Sequence, residues 1–390
     1  ESTTYENAAS GQPYPVPIGT SPQPRNDAYT AENLRPQRSH STIQDGVTFS
    51  RTVTAFDRFA RAISATQASS LGYSRDEATT YEDNTASWVL GQTKTSSLAG
   101  KITTNNVYDP TTALLSSTLS FGLLQYSLGY NADGTLRTFT DPRNFTTTLS
   151  DWYRGRPRNI AYPNSTAQAA AVNGQGWLTA VTDELGTTTA YGYDALGRLS
   201  LVDYTNADTV LWNDTTRSFV PVPVAEYGLP AGHWKQTVAT GNGQSTTFYD
   251  AQWRPVLTMS EDISNASSRS FVVNRYDAAG RMVFTSYPVG TLTSISDALL
   301  GTTSLYDALG RVTKVKQDSE LGVLTSSTEY LPGFQTRTTN PRGFQTVTSY
   351  QVFDSPDSSR PVLIQAPEGA TTTIVRDSFG KPQQITRSGN

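Results

Sequence analysis

The stretch Tyr193-Asp194-Ala195-Leu196-Gly197-Arg198-Leu199 decides the fold, because the chain repeats it. It returns as Tyr276-Asp277-Ala278-Ala279-Gly280-Arg281-Met282 and as Tyr306-Asp307-Ala308-Leu309-Gly310-Arg311-Val312. A degenerate copy, Tyr249-Asp250-Ala251-Gln252-Trp253-Arg254-Pro255, has lost the glycine. Weaker copies lie at Phe56-Asp57-Arg58-Phe59-Ala60-Arg61, Asp151-Trp152-Tyr153-Arg154-Gly155-Arg156 and Arg376-Asp377-Ser378-Phe379-Gly380-Lys381. Asp-x-x-Gly reads as a turn. The carboxylate can accept backbone N–H groups two residues on, and glycine takes the left-handed position without a Cβ clash. The flanks, Thr187-Thr188-Thr189-Ala190-Tyr191-Gly192-Tyr193 before and Arg198-Leu199-Ser200-Leu201-Val202-Asp203-Tyr204 after, alternate loosely as strands do. Each unit is then a hairpin that is marginal alone and must stack on its neighbours.

A second element precedes most of these boxes: glycine, a threonine-rich stretch, then the Tyr-Asp. Examples start at Gly186, Gly243 and Gly369, and Asp141-Pro142-Arg143-Asn144 and Asn340-Pro341-Arg342-Gly343 open the same unit with a turn. Composition agrees. The 390 residues include 57 threonines, 20 Tyr and 14 Phe, while charged residues are 16% and apolar residues 36%. Threonine and aromatic side chains suit a pleated, half-buried surface, and a charge-poor chain punctuated by Gly and Pro does not read as a helix bundle. The fold expected is all-β: a repetitive antiparallel hairpin ribbon or solenoid.

The pattern Gly-x-Thr-x-x-x-Tyr-Asp-x-x-Gly-Arg resembles the RHS or YD repeat family of bacterial rearrangement-hotspot proteins, toxin-complex C components and the YD shell of teneurins. The resemblance is specific in the boxes at Tyr193, Tyr276 and Tyr306 and extends in weaker form over residues 46–390; Trp88-Val89-Leu90-Gly91-Gln92-Thr93 also looks like a family feature. It implies a shell, or an arc of one, whose ribbon encloses or presents another polypeptide such as a toxin or effector. It also implies a secreted or cell-surface bacterial protein. The alternative role is an extracellular adhesin or fibre subunit that binds glycans or neighbouring cells. Implied partners are other segments of the same longer polypeptide or further copies of the chain, with toxin cargo or glycan as ligands. The chain departs from the family in having no Asp-Pro autoproteolytic segment followed by a toxin, and in its short span for a closed cocoon. Ala60 and Trp253 also stand where the box has glycine, which argues against those two turns.

Residues 1–45 form a separate region, with Pro13, Pro15, Pro17, Pro22, Pro24 and Pro36 crowded without periodicity. This reads as an extended linker, strap or plug, followed by the repeat region at 46–390. The chain opens at Glu1 without Met and stops at Asn390 inside the pattern, so it is read as a piece of something longer.

Signals for chemistry are sparse. With net charge −4 there is no basic stripe for nucleic acid, and no run of 18 apolar residues spans a membrane as a helix. Cysteine is absent, and the two histidines, His40 and His233, belong to no zinc-ligand pattern, so no metal and no cofactor is expected. Gly174-Gln175-Gly176 and Gly241-Asn242-Gly243 lack the third glycine of a dinucleotide fingerprint. There is no Gly-x-Ser-x-Gly elbow, and no catalytic residue is assigned. Asp194, Asp250, Asp277 and Asp307 repeat one turn position, which suits a backbone role better than a facing carboxylate pair. Arg198, Arg281 and Arg311 are expected to bond carbonyls or carboxylates of the next unit, and Tyr193, Tyr276 and Tyr306 to stack on one another along the ribbon. A glycan site would instead use aromatics outside the register: Trp152, Tyr153, Trp177, Trp212 or Trp234. Asn144, Asn164, Asn213 and Asn265 open Asn-x-Ser/Thr sequons.

Overall fold

A computed structural model describes residues 1–5, 36–57, 59–205 and 212–389 of the chain. Nearly all regular structure among them is antiparallel strand, and the helical exception is a single 3-10 turn at Pro367–Gly369. Each strand pairs with the next in sequence. Thr188–Tyr193 pairs with Leu199–Thr205, for instance, and Gly243–Tyr249 pairs with Pro255–Asp262, which pairs with Asn265–Tyr276. Such nearest-neighbour pairing needs only tight turns, which is what the Asp-x-x-Gly boxes supply. Threonine hydroxyls meet across several of these pairs, as at Thr182 and Thr188 (2.8 Å), Thr140 and Thr146 (2.9 Å) and Thr215 and Thr240 (2.7 Å). This explains how a chain so rich in threonine makes a sheet with few apolar residues.

The described chain forms two compact units, one of Glu1–Leu128, Asp141–Arg143 and Thr328–Asn390, the other of Gly129–Thr140 and Asn144–Ser327. Most strand positions in both are half-buried, and buried apolar side chains gather in two small cores. In the first unit Val47 and Phe49 pack with Phe334 and Val352, residues far along the chain. Backbone and side-chain bonds tie the same segments: Gly333 N donates to the Asp45 carbonyl (2.9 Å) and Ser69 Oγ to the Val352 carbonyl (2.8 Å). Arg75 lies 4.1 Å from the Phe353 ring centroid, and burial, with nearby Arg360 as a second cause, lowers its pKa.

In the second unit the core is a row across three strands. Phe248 stands opposite Leu257, Leu257 opposite Val273, and Met259 opposite Phe271. Two longer connections cover this row, one bringing Leu229 and Tyr227, the other Leu292, Ile295 and Ala298. Buried His233 anchors the first connection, with Nδ1 2.8 Å from the Pro230 carbonyl and Nε2 3.2 Å from Glu226 Oε1.

The boundary expected at residue 45 falls inside a hairpin. Gln37–Gln44 pairs with Val47–Phe56, and Ser2–Tyr5 pairs with Gln37–Gln44 in turn, so strand pairing begins before residue 46. Pro13, Pro15, Pro17, Pro22 and Pro24, and the linker or strap expected of them, lie outside the described residues.

Candidate functional site

The repeated Tyr-Asp turns are the feature that recurs, and each is built alike. In the box at Tyr193 the Asp194 N–H donates to the Arg198 carbonyl (2.9 Å) and the Gly197 N–H to the Asp194 carbonyl (2.9 Å). Asp194 Oδ1 accepts the N–H groups of Leu196 and Arg198, both at 2.9 Å, and Oδ2 accepts Arg198 Nε at 2.6 Å. Asp250 with Arg254, Asp277 with Arg281 and Asp307 with Arg311 reproduce the same carboxylate bonds, the Nε contact being 2.7 Å in all three. The Arg198 and Arg281 backbone N–H groups hold the Asp194 and Asp277 carboxyls below the usual carboxylate range. At Asp250 and Asp307 burial pushes the other way, but the backbone and guanidinium bonds outweigh it and the carboxyls are again depressed.

Among the described residues the same pair of backbone bonds closes turns that start at Asp57, Asn131, Tyr162, Asn173, Asp183, Asn340 and Asp377 as well. The fourth residue of every one has positive φ. Ala60 (φ 62°) and Trp253 (φ 61°) adopt it without being glycine, so the two turns that the missing glycine argued against do form. The copy at Asp151 is different: Tyr153 pairs directly with Arg156, and the tip is the two residues Arg154 and Gly155.

Successive boxes are joined through the arginine and the tyrosine. Arg281 Nη1 donates to the Asp307 carbonyl (2.9 Å), Arg254 Nη1 to the Asp277 carbonyl (3.4 Å), and Arg198 Nη2 to the Phe219 carbonyl (3.2 Å). In the first unit Arg61 uses both Nη atoms on Asp83 (2.8 Å each), which raises its pKa above the ordinary guanidinium value against the opposing effect of burial. The box tyrosines do not stack on one another as expected. Tyr81, Tyr276 and Tyr306 each lie under the preceding arginine, with Arg61 4.3 Å from Tyr81, Arg254 4.8 Å from Tyr276 and Arg281 4.9 Å from Tyr306. The phenol reaches past that arginine, or past Trp177 in the case of Tyr193, to the carbonyl of the residue after it: Tyr81 to Ala62 (3.2 Å), Tyr193 to Leu178 (2.6 Å), Tyr276 to Pro255 (3.0 Å) and Tyr306 to Met282 (2.7 Å). Tyr249 instead contacts Gln236 Oε1 at 3.5 Å.

Two of the tryptophans placed outside the register are inside it. Trp177 occupies the arginine position of the turn Asn173-Gly174-Gln175-Gly176-Trp177, and its ring stacks on Tyr193 (centroids 5.2 Å). Trp152 takes the tyrosine's part, donating Nε1 to the Leu136 carbonyl (2.9 Å). Trp234 joins Phe219, Tyr249 and half-exposed Trp253 in an aromatic cluster, with Trp234 and Trp253 5.3 Å apart. Trp212 is 61% exposed beside Tyr204 (5.9 Å). Sequence reading missed Asp83 and the neutral Asn131 turn; Gly134, three residues after that asparagine, was the available signal.

The turn carboxylates of the boxes are spent on backbone N–H groups and guanidinium. No group of three or more His, Asp or Glu that could hold a metal occurs among the described residues. No helix among them is long and apolar enough to cross a membrane.

Comparison with known proteins places this geometry. Residues 173–209 match the RHS repeat. No curated protein matches the chain. Among solved structures the crystal structure of TcdB2-TccC3 is similar at 11% identity and a TM-score of 0.62, over 90% of this chain and 29% of that one. A structure of the Photorhabdus luminescens Tc holotoxin pore matches 92% of this chain and 26% of its own at 11% identity, with a TM-score of 0.37. The chain thus spans less than a third of the chains it is similar to. Residues 173–209 thus carry an RHS repeat, and the fold along most of the chain is similar to that of TcdB2-TccC3.

Proposed function

We propose that the chain is a structural wall segment of a secreted or cell-surface protein, which encloses or presents another polypeptide and carries out no catalysis itself. The observation that supports this reading is how the repeated side chains are used. Box Asp, Arg and Tyr groups bond their own turn or the adjoining unit, as Arg281 does on Asp277, Asp307 and Tyr306, so these box side chains are occupied in holding the ribbon together. The fold shared with TcdB2-TccC3 is consistent with it. Electron microscopy of the native particle tests the reading: a hollow body with density inside is expected, and a rod or fibre of repeated copies would sink it.

A second reading, a contact module for glycans or neighbouring cells, is favoured by the exposure of Trp212 and of Trp253 over Trp234. Its test is Trp212→Ala or Trp234→Ala on cell or glycan binding, with unchanged thermal unfolding as the control.

A further inference from the structure

The region 144–182 holds only four charged residues, and all four sit at one hairpin tip: Asp151, Arg154, Arg156 and Arg158. Three arginines against one aspartate make the tip +2 on a chain whose net charge is −4. Thr146–Tyr153 and Arg156–Ala161 form this hairpin, and Arg154 and Gly155, both at positive φ, are its two-residue turn. Asp151 is committed to Arg158, whose Nη2 donates to its Oδ1 at 2.6 Å. Arg156 gives only Nε away, to the Gly176 carbonyl (2.9 Å). Arg154 makes no hydrogen bond and no ion pair among the described residues; its guanidinium carbon lies 6.0 Å from the Tyr153 ring centroid. The Arg154 fork and the Nη groups of Arg156 are exposed donors with no acid to meet them.

We propose that this tip binds a polysaccharide bearing sulfate or carboxylate groups. The inference goes beyond the wall reading and does not depend on it. Guanidinium forks match planar and tetrahedral oxyanions in a way a point charge does not, and charge complementarity with a polyanion offsets the overall negative charge locally. Tyr153, 37% exposed, stands beside Arg154 (6.0 Å) and Arg158 (5.3 Å), so an aromatic ring adjoins the free donors and can pack against a sugar.

The test uses the full chain with dextran sulfate and with unsulfated dextran of equal length, near physiological salt. Binding to dextran sulfate alone is expected, weakening as salt rises. The double variant Arg154→Ala/Arg156→Ala should bind at least about tenfold more weakly, in line with loss of charge-assisted hydrogen bonds. Arg342→Ala, which removes an exposed arginine from another turn, should bind as the parent does. If the Arg156 change unsettles the hairpin, Arg154→Glu alone carries the test, since Arg154 bonds nothing. Equal loss in Arg342→Ala, no preference for the sulfated polymer, or tighter binding to a single-stranded oligonucleotide or an acidic peptide would each overturn the proposal.

Discussion

Arg281 lies over the ring of Tyr306, 4.9 Å from its centroid, while its Nη1 donates to the carbonyl of Asp307 at 2.9 Å and its Nε to Asp277 within its own turn at 2.7 Å. One side chain therefore fixes a turn, stacks on the next unit's tyrosine and bonds the next unit's backbone. Tyr306 completes the link backwards through its phenol, 2.7 Å from the Met282 carbonyl. A ribbon of marginal hairpins needs such a bracket, because each hairpin gains most of its stability from its neighbour.

Arg281→Ala should destabilise the second unit by about 1–3 kcal/mol, the range for a mid-sized contact residue that leaves charged and polar partners unmatched. Arg281→Lys should recover only part of this, since an ammonium cannot serve two turns and a ring at once. Urea unfolding of both, and of Tyr306→Leu and the double variant, forms a cycle. Strict additivity of the Arg281 and Tyr306 changes would show that the stacking carries no energy.

The fourth turn position gives an expectation of opposite sign at two sites. Ala60→Gly relieves a left-handed alanine and should stabilise by up to about 1 kcal/mol. Gly197→Ala should cost more than Gly280→Ala. A Cβ at Gly197 meets Trp177 Cζ2 at 2.6 Å, whereas nothing lies within 4 Å of one at Gly280. Thermal midpoints of the three variants decide it, and equal losses at Gly197 and Gly280 would remove any role for Trp177 in that turn.

These turns show what was legible in the sequence. Asp-x-x-Gly announces itself because its chemistry is local: a carboxylate, two N–H groups and a residue able to take positive φ all lie within five positions. The strands and the all-β class follow from the same boxes. Ala60 and Trp253 were misread because glycine prefers that position without being the sole residue able to occupy it, and the Asp carboxylates beside them suffice to close both turns. Non-local relations were not readable. Nothing in Phe49 signals Phe334, and nothing in Trp177 signals that it replaces an arginine until Asn173 is recognised as the start of a turn.

The turn carboxyls also set a pH dependence. Asp194, Asp277 and Asp307 have folded pKa values depressed below the unfolded value of about 3.9. Their contribution is complete above that unfolded value and is lost as pH falls through the depressed folded values. The urea midpoint should stay level from neutral pH to about 5 on this account and drop below about 4. Asp277→Asn keeps an oxygen for the two N–H groups, as Asn173 and Asn340 do in their own turns. It should therefore fold, with a lower midpoint at neutral pH and a shallower acid decline. A decline as steep as the parent's would place the acid sensitivity elsewhere.

Phe49 is fully buried and meets Phe334 edge-on at 5.2 Å, beside Val47 and Val352. The first unit thus draws its core from two stretches far apart in sequence, and neither can bury its aromatic ring alone. Phe49→Ala should cost about 3–5 kcal/mol, the usual range for emptying a buried phenylalanine site. Hydrogen exchange should accelerate together in the strand Val47–Phe56 and around Phe334 and Val352, because Gly333 N on Asp45 and Ser69 on Val352 depend on the same packing. Leu257→Ala, in the row Phe248–Leu257–Val273, should loosen that row and leave exchange near Phe49 unchanged. If Phe49→Ala affects only its own strand, the distant segments do not share a core; if Leu257→Ala loosens both regions equally, the two units do not behave as separate cooperative bodies.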